Sequence, residues 1–157
     1  MSDIHQIKER MEFTGYICTQ YAHFDYLISN IIWHVLEVEK GIGVIITGSM
    51  EIRPKIEMAI ELLDYKELFP EIRKKLQSIK NSASSSNGFI SRRNVIVHGI
   101  FSSKEGDPKV MVESHRKKSM RGRQELKLSY YHETHRDIIK ANKDLMDLMV
   151  PLGINVH

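Results

Sequence analysis

Tyr21-Ala22-His23-Phe24-Asp25-Tyr26-Leu27-Ile28-Ser29-Asn30-Ile31-Ile32-Trp33-His34-Val35-Leu36 is the stretch on which the reading of the fold turns. Its apolar residues recur in steps of three and four, at Tyr21, Phe24, Leu27, Ile28, Ile31, Ile32, Val35 and Leu36. That spacing marks one face of an amphipathic helix rather than the alternation of a strand. The same period runs back through Ile4, Ile7, Met11, Tyr16 and Ile17, and no proline falls between Asp3 and Val38. A helix of that extent is roughly 54 Å long, against a radius of gyration of roughly 15 Å for a compact domain of this length. It must break near Gly15 or project and pack on a partner chain.

Downstream, Gly41-Ile42-Gly43 reads as an interruption, and Thr47-Gly48-Ser49 prepares a second helix through Ile56, Ile60 and Leu63. Pro54 fits only in its first turn, where a missing N–H costs nothing. Pro70 opens a third helix by the same logic. It carries Ile72, Leu76 and Ile79 and continues to His98, across the serine-rich run Asn81–Gly88. Beyond Gly99 the period turns to alternation: Ile100–Ser103, a turn at Glu105-Gly106-Asp107-Pro108, Val110–Glu113, then Leu126–Tyr130. Three such runs predict a small antiparallel meander. Thr134 with Asp137 resembles a capping box before a last helix through Ile138, Leu145 and Met149 to Pro151. The expected fold is mainly α: four helices in one domain spanning 1–157, with a β insertion at about 100–130 before the last helix.

The 157 residues are 27% charged and 41% hydrophobic, which excludes a disordered tail. No apolar run approaches the roughly 20 residues of a membrane span, so no membrane partner is expected. The single Cys18 has no internal partner, and Met1–Gln6 lacks the basic start and apolar centre of a signal peptide. Both point to a reducing, cytoplasmic setting. The net charge of +3 is small, but it is segregated. Arg92 to Lys127 holds ten Lys or Arg against four Asp or Glu, while the rest holds thirteen against sixteen.

That basic stretch begins with the most specific feature, Arg92-Arg93-Asn94-Val95-Ile96-Val97-His98-Gly99. On a helix Asn94 and His98 stand one turn apart on one face, and the long side chain of Arg93 can converge with them. A guanidinium suits a phosphate and an imidazole can move a proton near neutral pH. Together they supply what phosphodiester transfer within RNA needs, with no metal ion or other cofactor. A purely structural helix end, with His98 and Asn94 satisfying backbone carbonyls, uses the same residues.

Arg93, Asn94 and His98 match the arginine-x4-histidine signature of the HEPN superfamily, and between Tyr21 and Met149 the chain resembles that family. The resemblance implies an up-and-down helical bundle that often dimerises so that two motifs meet at one cleft. It also implies either a metal-independent endoribonuclease, of the kind found in toxin pairs and phage defence, or a noncatalytic binding module. By carry-over Arg93 holds the scissile phosphate, Asn94 fixes local geometry and His98 is the acid or base. Asp25 on the first helix is the matching polar residue facing the motif. In family toxins silenced by nucleotidylation a tyrosine follows the histidine by two residues. Here Ile100 stands there, which argues against an antitoxin acting through that tyrosine, though a regulatory protein partner of another kind stays open.

The second basic feature, His115–Arg123, falls between predicted strands as a loop tip. Arg116, Lys117, Lys118, Arg121 and Arg123, with Arg92, are the expected RNA contacts. A solvated hairpin whose charges blunt a sheet edge is the competing reading. His132-Glu133-Thr134-His135 is one residue short of the zinc-helix spacing, so it is read as the entry to the last helix. The leading expectation is a homodimeric, metal-independent endoribonuclease or RNA-binding protein. The alternative is a noncatalytic adaptor or sensor that binds a nucleotide or protein.

Overall fold

In a computed structural model the described residues are 2–83, 85–102, 109–113 and 123–157. They form a mainly α bundle with a small antiparallel sheet before the last helix. The elements are α1 (Ser2–Leu36), α2 (Lys40–Thr47), α3 (Ile52–Lys66), α4 (Pro70–Ala83) and α5 (Phe89–His98). Then come β1 (Ile100–Ser102), β2 (Met111–Glu113), β3 (Arg123–Glu125), α6 (Leu128–Met149) and a 3-10 turn at Val150–Leu152. No helix among the described residues is long and apolar enough to cross a membrane.

α1 runs unbroken through Gly15. Its stripe from Ile17 through Phe24, Leu27, Ile28, Ile31 and Ile32 is fully buried, whereas Ile4 and Met11 stay exposed. The helix is therefore core over its second half only. It packs against α6, α3 and α5, and α4 lies against α3 and α6. α6 offers Tyr131, Ile138, Leu145 and Met149 in return. The chain end covers the same bundle: Ile154 and Val156 are buried, and His23 Nε2 meets the Val156 carbonyl at 3.1 Å.

Four expectations need correction. The Gly41–Gly43 segment is helical, part of α2, because glycine at 43 lets this helix approach Trp33 closely. A Cβ there would lie 2.5 Å from the indole. Trp33 Nε1 then donates to Thr47 Oγ1 at 3.0 Å. The third helix is two, α4 and α5, so the described residues hold six helices rather than four. The Ser–Asn–Gly run breaks it, with Asn87 N–H donating to Ser85 Oγ and Gly88 pressed so close to the Ser82 carbonyl that a Cβ would fall 2.1 Å from it.

The third strand lies at Arg123–Glu125, paired with β2 in the register Met111↔Glu125 to Glu113↔Arg123. α6 claims the residues from Leu128 onward. Thr134 consequently sits inside α6, donating to the Tyr130 carbonyl at 2.6 Å, and is not a cap. Pro54 stands in the first turn of α3 as expected.

Candidate active site

α5 is short and anchored at both ends. Phe89 packs edge-on to Phe24 at 5.2 Å, Ile90 and Ile96 are buried, and the Gly99 N–H closes the last turn on the Val95 carbonyl at 2.9 Å. This presents Arg93, Asn94 and His98 on one side of the helix. The three line a cleft of about 310 Å³ with Tyr21 and Asp25 of α1, Ile90, and residues 50–53 at the start of α3. All four residues expected to be catalytic, Asp25, Arg93, Asn94 and His98, therefore share one wall-to-wall space.

Arg93 is the hub. Its Nη1 donates to Asn94 Oδ1 at 3.1 Å and lies 3.5 Å from His98 Nε2, while its guanidinium carbon sits 4.4 Å from the centre of the Tyr21 ring. Stacking on an aromatic face holds a cation in place without using its donors. Arg93 Nε is buried with no hydrogen-bond partner among the described residues. A guanidinium only donates, so the Nε2 lone pair of His98 is what faces it when that nitrogen is unprotonated. His98, the last residue of α5, is exposed to the cleft mouth.

Asp25 is not a lone carboxylate. Lys55 Nζ donates to both of its oxygens, at 2.9 and 3.0 Å. Tyr21 stands above it on α1, and its phenol is pushed up to about 12, first by burial and also by the Asp25 charge, against the opposing pull of Arg93. It is a neutral hydroxyl at ordinary pH. On the α3 wall of the cleft Arg53 is tied by Nη2 to the Ala83 carbonyl at 3.0 Å and to Ser91 Oγ at 3.4 Å. A second cation thereby joins α3 to the ends of α4 and α5.

Arg92 is not brought to this cleft. It is 7% exposed and turns toward α6, where it pairs with Asp137 and, at 3.6 Å, with Glu133. Consecutive helix positions differ by about 100°, so one arginine anchors the helix and the next faces the cleft. Arg116, Lys117, Lys118 and Arg121 lie outside the described residues. Arg123 opens β3, and its side chain also lies outside the description. In the His132–His135 segment, His132 packs on Phe13 with ring centres 4.3 Å apart and meets Glu9 Oε1 at 3.2 Å, tying α6 to α1.

Sequence reasoning passed over Tyr21, Arg53 and Lys55. Lys55 was within reach: it falls on the buried face of α3 with Ile52, Ile56, Ala59 and Ile60. A cation there must meet an anion. Tyr21 stands one turn before Asp25 and shares its face. Arg53 carries no such signal, since its role depends on how α3 meets α5. Comparison with family models, curated proteins and solved structures returned no match.

Proposed function

We propose that this chain is a metal-independent endoribonuclease or RNA-binding protein of the HEPN type, acting in the cytoplasm as a homodimer. The observation that carries the reading is the convergence of Arg93, Asn94 and His98 on one open cleft that Arg53 also lines. In this reading a phosphate of single-stranded RNA enters between Arg93 and Arg53. The 2′-oxygen bonds to phosphorus as the bond to the 5′-oxygen breaks, leaving a cyclic phosphate. The 2′-hydroxyl gives up its proton and the 5′-oxygen gains one, and His98 is the group that moves protons at neutral pH. Arg93 neutralises the charge that builds on the phosphoryl oxygens. Tyr21, protonated up to about 12, is a hydrogen-bond donor and not the base.

Support for pairing comes from Ile42 and Ile45, one helical turn apart on α2 and 47% and 82% exposed. They lie just before the 50–53 segment that lines the cleft. A toxin or defence setting fits the proposed chemistry through the resemblance alone. Incubation of the purified protein with RNA in chelator tests the reading. Fragments ending in a cyclic phosphate, lost in His98→Ala and in Arg93→Ala, support it. Cutting that survives both substitutions removes the catalytic assignment.

One observation favours the noncatalytic alternative. Lys55 occupies both oxygens of Asp25, so that carboxylate is engaged by a cation and is a poor second acid–base group beside His98. A binding module predicts RNA or nucleotide affinity that falls in Arg93→Ala with no cleavage by the parent protein.

A further inference from the structure

A second cavity lies at the C-terminal end of α5, between the N-terminal half of α1 and the meander. It measures about 600 Å³ and is walled by Ile7, Met11, Ile96, Val97, Phe101 and Val110. Small-molecule pockets run from roughly 300 to 1,000 Å³ and are mainly apolar with a few placed polar groups. Here the polar side chains are those of Arg10, Tyr131, Thr14 and Ser102, and Thr14 is already bonded to the Arg10 carbonyl at 2.8 Å.

Arg10 is unusual for such a lining. It is 8% exposed, and among the described residues it has no carboxylate partner. Its donors reach only carbonyl-type oxygens: Nη2 to the Leu126 backbone at 3.2 Å, and Nη1 to the Gln6 backbone and side chain at 3.4 Å each. Its Nε is buried with no hydrogen-bond partner among the described residues. A buried charge is ordinarily paired, because desolvation without a counter-charge is costly. Tyr131 is 2% exposed, and the Arg10 charge reaches its phenol. The other end of the cavity opens beside Ile7 and Met11, which are 45% and 71% exposed. A cation with a phenol at the inner wall and apolar side chains out to the mouth describe a complement to one ligand class.

We infer that this groove binds an acyl-chain carboxylate, its head on Arg10 and Tyr131 and its hydrocarbon tail along Ile96, Val97 and Met11. The carboxylate supplies the counter-charge that Arg10 lacks, and the tail covers apolar surface that water now meets. Neither partner is shared with the Arg93 cleft, so the inference stands apart from the nuclease reading.

Titration calorimetry of the full chain with decanoate, decan-1-ol and decyltrimethylammonium tests it. Decanoate should bind, the alcohol should bind roughly ten- to a hundredfold more weakly for want of the charge-assisted bonds, and the cationic analogue should not bind. Arg10→Gln should bring decanoate down to the level of the alcohol. Met11→Glu, at an exposed position that the fold does not depend on, should weaken decanoate by repulsion at the mouth and serves if Arg10→Gln does not fold. Equal binding of acid and alcohol, decanoate binding unchanged in either variant, or no decanoate binding at all would overturn the assignment. So would a second copy of the chain seated in the groove, seen as concentration-dependent shifts of Ile7 and Met11 resonances that decanoate does not displace.

Discussion

Lys55 Nζ bonds both oxygens of Asp25, and the two ends of this pair differ sharply in exposure: the lysine side chain is 3% exposed and the aspartate 40%. A buried cation on α3 is thus satisfied by a carboxylate on the cleft wall of α1. Asp25→Asn strands that cation and should lower stability by about 2 kcal/mol, a figure reduced because water reaches the aspartate. Lys55→Met removes the charge and keeps the volume, and should change stability by less than about 1 kcal/mol. Urea unfolding of both variants measures the asymmetry. If the lysine variant proves the costlier, the pair is not held for the lysine's sake.

Tyr21 sets the alkaline limit of the cleft. Its phenol titrates near 12 when folded and near 10 when free. Below about pH 10 both states hold the proton. As pH rises from about 10 to 12 the unfolded chain releases it first, so folding free energy falls over that window. Tyr130 and Tyr131 are raised by burial in the same direction. Tyr21→Phe should therefore reduce the alkaline loss without abolishing it, and should leave the ring beneath Arg93. Tyr21→Ala should also release Arg93, forfeiting about 0.5–2 kcal/mol of cation–π attraction. Circular dichroism from neutral to strongly alkaline pH separates the two variants.

The neighbouring arginines should fail in opposite ways. Arg92→Ala empties a buried space and takes the buried partner from Asp137 and Glu133, which water still reaches, and should cost about 1–3 kcal/mol of stability through lost packing and hydrogen bonds, while the folded fraction keeps its affinity for RNA. Arg93→Ala should lose only the about 0.5–2 kcal/mol of its stacking on Tyr21, and should lose RNA affinity roughly tenfold or more, as expected for a lost charge-assisted contact. Paired thermal melts and filter binding decide this. Equal losses of RNA affinity in the two variants would contradict the division of labour.

Two glycines in helices should respond with opposite signs. A Cβ at Gly15 meets nothing within 4 Å, so Gly15→Ala should stabilise the protein by about 0.5–1 kcal/mol. A Cβ at Gly43 meets the Trp33 ring at 2.5 Å, so Gly43→Ala should cost about 1–3 kcal/mol. Melting temperatures, with tryptophan fluorescence for the second, report both.

The apolar stripe of α1 and the positions of Pro54 and Pro70 were legible because they are local: a period and a missing N–H act within one or two turns. The break between α4 and α5 was in principle legible too, since Ser85, Asn87 and Gly88 all favour turns, but a continuous apolar period on both flanks outweighed them. α2 and the start of α6 were not legible. Gly43 is helical because Trp33 needs the space, and Thr134 is mid-helix because Tyr131, a turn before it, joins the core. Both are tertiary facts. At the cleft, Arg93, Asn94 and His98 came from spacing on one helix, and Asp25 from its place on another. That Arg92 faces α6, and that Arg53 closes the cleft, depends on the angles at which helices meet.

The short α5 is coupled to the rest of the chain through its side chains more than through its connection to α4. Arg92 locks its rotation against Asp137 of α6, and Phe89 locks its height against Phe24 of α1. Residues 85–88 only have to span the gap. Extra residues inserted there should be absorbed without moving Arg93 or His98, because added loop length costs little. A single residue inserted between Phe89 and Arg92 would instead turn everything after it by about 100°. It would carry Arg92 to the angle at which Arg93 now faces the cleft and leave no arginine toward Asp137, which makes the helical phase of α5, rather than its length or its neighbours in sequence, the quantity that this protein has to keep.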